Sequence, residues 1–161
     1  MQPQLSENEI VENYRNHLTN VMNQINDEAW SKSYSEGKAT VAEIVGHLMG
    51  WDKYVIEQVI PSVVRGDGMQ FPDFDTYNKQ SYEYTKSRSR ETILSEFIST
   101  RNELCVMLSM LTNEQLCGST TIGGSTHDAH TGKAFSLLFL IEEFTEHDHH
   151  HKKQLETILG I

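Results

Sequence analysis

The chain is predicted to be all-α, an antiparallel four-helix bundle, and three observations predict it. Apolar residues recur three and four positions apart through four long stretches, which is the spacing that gathers them on one face of a helix. Only three prolines and ten glycines interrupt 161 residues. No stretch shows the period-two alternation of a half-buried strand, so a sheet has nothing to be built from.

The elements follow in order. Ser6-x-x-Glu9 is a reciprocal capping pattern, in which a hydroxyl and a carboxylate each satisfy an orphan amide of the other. It opens a first helix whose stripe is Ile10, Tyr14, Leu18, Val21 and Ile25. Thr40-x-x-Glu43 opens the second, with Ile44, Leu48, Trp51, Val55 and Val59, ending between Pro61 and Gly66. The segment FPDFDTYNKQSYEYT reads as a short amphipathic helix bearing tyrosines. A further long helix carries Ile93, Phe97, Arg101, Leu104, Leu108 and Leu111, and Thr112-x-x-Gln115 starts a new short turn. Residues 117–132 are polar, glycine-rich and aperiodic, and predict a mobile loop of the length that borders a site. The last helix is expected from Lys133 to Leu159. No repeat and no linker divides the chain, so residues 1–161 are expected to form one domain.

Composition excludes several classes of function. A formal net charge of −10 opposes nucleic-acid binding, which needs clustered Lys and Arg, and here Lys79, Lys86, Arg88 and Arg90 alternate with acids on a solvated face. No run approaches the roughly 18 apolar residues of a membrane span. The N-terminal MQPQLSENEI lacks the basic and apolar regions of a secretory leader, and the expected location is the cytoplasm. Cys105 and Cys117 make no disulfide framework.

Chemistry is concentrated in FTEHDHHHKKQL, residues 144–155, which holds four of the eight histidines. At about 100° per residue, taking His147 as zero, His151 falls near 40°, among Leu140, Phe144, Leu155 and Ile158, which span roughly 20–80°. His149 near 200° and His150 near −60° fall outside that stripe and are expected in solvent. Two inward imidazoles one turn apart can share one cation, and a third donor should come from a facing helix. His47, one turn from Ile44 and from Trp51, is the candidate, giving a bundle with a metal site in its core. The alternative is a buried histidine pair hydrogen-bonded to carboxylates. His17, His127 and His130 are expected to be packed or solvated histidines. Asp52, Glu43, Asp148 and Glu146 are candidates to orient the imidazoles. Trp51, Tyr54 and Tyr77 are candidates to line a pocket, although aromatics at helical spacing also describe ordinary core.

HLMGW in the second helix, DFDTYN before the third long helix and the C-terminal H-x-x-x-H together resemble the DinB-like superfamily over nearly the whole chain. The resemblance implies a four-helix bundle, often a homodimer, with a divalent metal such as zinc or nickel on three histidines that match His47, His147 and His151. Characterised relatives include bacillithiol and mycothiol S-transferases and a mycothiol-dependent isomerase. A branch without metal, the colibactin self-protection proteins, shares the HL-x-GW region but lacks the C-terminal pair. The expectation is therefore a divalent-metal-dependent enzyme acting on a small electrophilic substrate. It would be a thiol S-transferase, with a low-molecular-weight thiol as cofactor, or a hydrolase. The alternative is a non-catalytic metal-binding, stress-response or self-protection bundle. Against a purely structural ion stands the donor set, three histidines with no cysteine nearby.

Overall fold

Ser6 caps α1 (Glu7–Asn16) by accepting a hydrogen bond from the Glu9 amide at 3.2 Å, in a computed structural model that describes residues 6–161. The single first helix expected to reach Ile25 is divided: α1 stops at Asn16 and α2 covers Thr19–Asn23. Asn16, Thr19 and Asn20 are weak helix formers whose side chains compete for the backbone, and they meet at this break. Leu18, Val21 and Ile25 remain buried, so the apolar stripe survives. α3 (Asp27–Trp30) is one turn.

α4 (Val41–Tyr54) begins on the complete capping box of Thr40 and Glu43, which occupies the Glu43 carboxylate at the helix start. It runs into a π turn, Val55–Val59, and then α5 (Ile60–Val64). Pro61 accounts for the wide turn: inside a regular α-helix its ring would strike the carbonyl four residues back, that of Glu57. α6 (Phe74–Lys86) returns along α4, and Gly46 and Gly50 allow the approach, since a Cβ at either would collide with Ser81 or Thr85. α7 (Arg90–Met110) follows, then α8 (Asn113–Cys117) on its own capping box.

α9 spans Leu137–Leu159 and starts four residues later than the sequence suggested. Ser136 caps it through the Phe139 amide at 3.0 Å. Lys133–Phe135 instead pair with the preceding segment, the Phe135 amide donating to the Thr126 carbonyl at 3.0 Å. Nor is 117–132 a bare loop, because isolated bridges join Ile122 to Ser125, His127 to Ala134 and Ile122 to Met69.

The four long rods are α1–α2, α4–α5, α7 and α9. One apolar cluster joins Ile10, Val59, Leu108 and Ile141, and the other joins Val21, Ile44, Ile93 and Leu155. Helices α1 and α9 therefore run one way and α4 and α7 the other. The return stroke of α6 is what makes α4 and α7 parallel neighbours. Between the clusters lies a charged layer. Arg101 of α7 is 2 % exposed; its Nε donates to Asp52 at 2.6 Å, and its Nη1 donates to Asp148 at 2.8 Å and to the Tyr14 carbonyl at 2.9 Å. The Tyr14 hydroxyl donates to Asp52 at 2.5 Å. Among the described residues no helix is long and apolar enough to cross a membrane.

Candidate metal centre

His47, His147 and His151 meet where α4 faces α9. The His147 Nε2 lies 3.2 Å from the Nε2 of His47 and 3.2 Å from that of His151, and the rings stand edge to face. Their protonation follows from the outer nitrogens. Asn78 Oδ1 accepts from Trp51 Nε1 at 3.0 Å and is a pure acceptor, so His47 Nδ1, 2.8 Å away, must carry its proton. Gln154 Oε1 fixes Nδ1 of His151 in the same way at 2.8 Å. Each Nε2 of those two rings is left with a lone pair, and both lone pairs aim at the nitrogen of His147.

Lone pairs crowded this closely repel unless a proton or a cation sits among them. Donors about 2.0–2.1 Å from a tetrahedral ion lie about 3.3 Å from one another, close to the separations found. The three residues form a group that could hold a metal ion. The imidazoles are also prepared to be neutral. Loss of hydration, followed by the charges His151 and His47 would carry, lowers His147 to about 3. Loss of hydration likewise lowers His151 to about 4, against the opposing effect of the hydrogen bond it donates to Gln154, and burial lowers His47.

The other candidates separate clearly. Asp52 and Asp148 do not orient the imidazoles; both carboxylates are spent on Arg101. Asp148 follows His147 by one residue, about 100° round the helix, which turns it into the bundle interior. Burial raises it to about 6 against the lowering effect of Arg101. Glu43 belongs to the helix cap, and Glu146 is exposed. Tyr54 and Tyr77 pack on Trp51, at ring separations of 5.7 and 4.5 Å, and give their hydroxyls to the carbonyls of Gln70 and Gly50. They therefore support the pocket wall and do not line it. His149 and His150 are exposed, His149 near the ring of His17. His127 and His130 are exposed in the 117–136 segment, and the group of three holds neither.

Asn78, Gln154, Glu143 and the clamping role of Arg101 were missed by reasoning from sequence. Gln154 carried a signal, three residues after His151 on the same side of the helix. Asn78 carried none, because its partners lie on α4. Arg101 stood out only as a charge within an apolar stripe. Its two carboxylates come from the two helices that bear the histidines, so it sets their relative rotation.

Beside the histidines opens a cavity of about 450 Å³, lined by His47, His147 and Trp51 among others. Ile122, from the bridged segment, closes one side.

The family model of the DinB superfamily matches residues 11–155. A solved structure, YfiT from Bacillus subtilis, described as a probable metal-dependent hydrolase with an unusual four-helix bundle topology, superposes with a TM-score of 0.65. It is 15% identical, and the match covers 98% of this chain and 91% of that one, a likeness of fold. No curated protein matches the chain.

Proposed function

Because the chain belongs to the DinB superfamily, we propose that it is a metal-dependent hydrolase of small molecules, with a divalent cation held by His47, His147 and His151. The observation that carries this is the convergence of three imidazole nitrogens, two of them with tautomers fixed by Asn78 and Gln154. A divalent cation there would supply a Lewis acid able to polarise a carbonyl and to lower the pKa of a coordinated water or thiol towards neutrality.

The chain's own residues do the rest. Asn78 and Gln154 hold the rings in the donor orientation, and Arg101 holds the two helices that present them. The cavity beside the histidines gives a substrate room to reach them. Among the described residues the lining holds no serine or cysteine, so the cavity offers neither a hydroxyl nor a thiol as covalent nucleophile. The description of YfiT as a probable hydrolase supports the reading. Thiol transfer from a cofactor bearing carboxylates is disfavoured, since among the described residues no Lys or Arg lines the cavity to receive them.

The test is metal content and hydrolysis by the untagged protein. About one equivalent of divalent metal is expected, lost in the alanine variants of His47, His147 and His151 and retained on His149→Ala and His150→Ala. Ester and amide hydrolysis should vanish with chelation and return with added metal. A His47→Ala protein with full metal content sinks the site, and metal-loaded protein without hydrolysis above the His151→Ala control sinks the activity.

A further inference from the structure

The cavity wall is aromatic to an unusual degree. Trp51 comes from α4, Phe71 from the approach to α6, Phe74 from its first turn, and Phe139 and Phe144 from α9. The rings brace one another: Phe74 stands edge-on to Trp51 at 5.4 Å, and Phe71 lies 6.2 Å from Trp51 and stacks on Tyr54 at 5.6 Å. Phe74 is nonetheless 60 % exposed, at the end of a well-packed wall. An apolar face left open beside a polar centre is the usual form of a small-ligand site, and a volume of about 450 Å³ leaves room for an aromatic ring with a chain attached.

The polar groups of the cavity are few. Asn78 Oδ1 is already used by Trp51 and His47. What remains for a ligand is the histidine nitrogens at one end, the Asn78 Nδ2 amide and the carboxylate of Glu143. Glu143 stands one turn before His147 on α9, and among the described residues it forms no ion pair. A ligand bearing a carboxylate would bring its charge towards that of Glu143, with no Lys or Arg among the described residues of the lining to offset it.

We infer that the substrate is held by an uncharged, aromatic-sized apolar body seated on Trp51, Phe74 and Phe139, with its reacting polar head at the three histidines, and that Glu143 discriminates against anionic substrates. This rests on the hydrolase reading for the identity of the reacting head, but not for the occupant of the aromatic wall. It makes the preferred substrates hydrophobic esters or amides that are neutral or cationic.

Binding by metal-free protein separates the two readings, because a bound cation would itself attract a carboxylate. Three ligands with one body, 3-phenylpropanamide, 3-phenylpropylamine and 3-phenylpropanoate, are titrated at pH 8 while Trp51 fluorescence is followed, with Trp51→Phe as the control for the signal from Trp30. The amide and the amine are expected to bind about tenfold more tightly than the carboxylate. Glu143→Gln should shrink that gap to under about threefold while leaving the amide unchanged. Phe74→Ser and Phe139→Ser, with folding checked by circular dichroism, should weaken all three ligands about tenfold. Equal binding of carboxylate and amide, no binding of any of the three, or indifference to both Ser variants would overturn the inference. So would a sedimentation shift showing that the wall seats a second copy of the chain and dissociates when Phe74 is changed. Retained ligand discrimination in a protein that proves to bind no metal would sink the hydrolase reading alone.

Discussion

Replacing Arg101 with methionine keeps the length of the side chain and removes its charge. Asp52 and Asp148, 1 % and 2 % exposed, would then face each other across an apolar layer with only the Tyr14 hydroxyl to share. Deleting one partner of a buried ion pair costs about 3–5 kcal/mol, because the remaining charge is uncompensated. That is a large part of the roughly 5–15 kcal/mol by which domains are stable. At about 2–4 °C per kcal/mol for a chain of this size, the melting temperature should fall by about 6–20 °C. The loss should depend on pH with a definite sign. An orphaned carboxyl whose folded pKa is raised above its unfolded value of about 3.8 costs nothing below that value. Its cost grows as pH rises to the folded pKa and is constant above it. Asp148 already stands at about 6 beside Arg101, and without the guanidinium it should move higher still. Urea denaturation of wild type and Arg101→Met at pH 8 and pH 5 tests this: the deficit should be several kcal/mol at pH 8 and clearly smaller at pH 5. A deficit under about 1 kcal/mol at pH 8, or one equal at both pH values, would refute the reasoning. Metal content should fall in the same variant, since the clamp between α4 and α9 is gone.

Three further outcomes follow from the packing. Asn78→Leu frees the His47 tautomer, and metal affinity, measured by chelator competition, should drop about 10–100-fold with little change in fold. Gly46→Ala drives a methyl into Thr85 and the Ser81 carbonyl; the expected loss is about 1–3 kcal/mol, more than the gain of about 1 kcal/mol in helix propensity, read by thermal denaturation. Cys117 is only half-buried, yet partial burial and then its hydrogen bond to Glu7 raise it to about 11. Its alkylation by iodoacetamide should therefore be slow at pH 8 and still rising at pH 10, and Glu7→Gln should speed it.

The pairing of the α9 histidines was legible because a single helix carries both, but their inward direction was not borne out: His147 is exposed and His151 half-buried, at the rim of the core and not within it. His47 was legible because its own helix has a clear apolar stripe. The roles of Asp52 and Asp148 were not, since each depends on Arg101 in a third helix, and sequence spacing says nothing of what faces a carboxylate across a bundle. The same limit hid Asn78. The late start of α9 was hidden because Lys133–Phe135 satisfy their backbone with Thr120, Thr126 and Asp128 and not with a helix. The break after Asn16 lay within a stripe whose period runs on past it. Gly46 and Gly50, one turn apart in α4, were the readable sign that another helix would lie against that face.

The π turn keeps α5 in phase with α4. A helix turns about 100° per residue, so one residue more or fewer between His47 and Pro61 rotates everything beyond it by that angle. The wide turn takes up the odd residue while keeping Val55, Val59 and Ile60 all buried. Exposed Glu57 and Gln58 occupy its outer side, where the chain can be shortened without opening the core. Dropping Gln58 would close the wide turn to a regular one and press the Pro61 ring onto the backbone four residues back, while His47 and Trp51, upstream of it, keep their places.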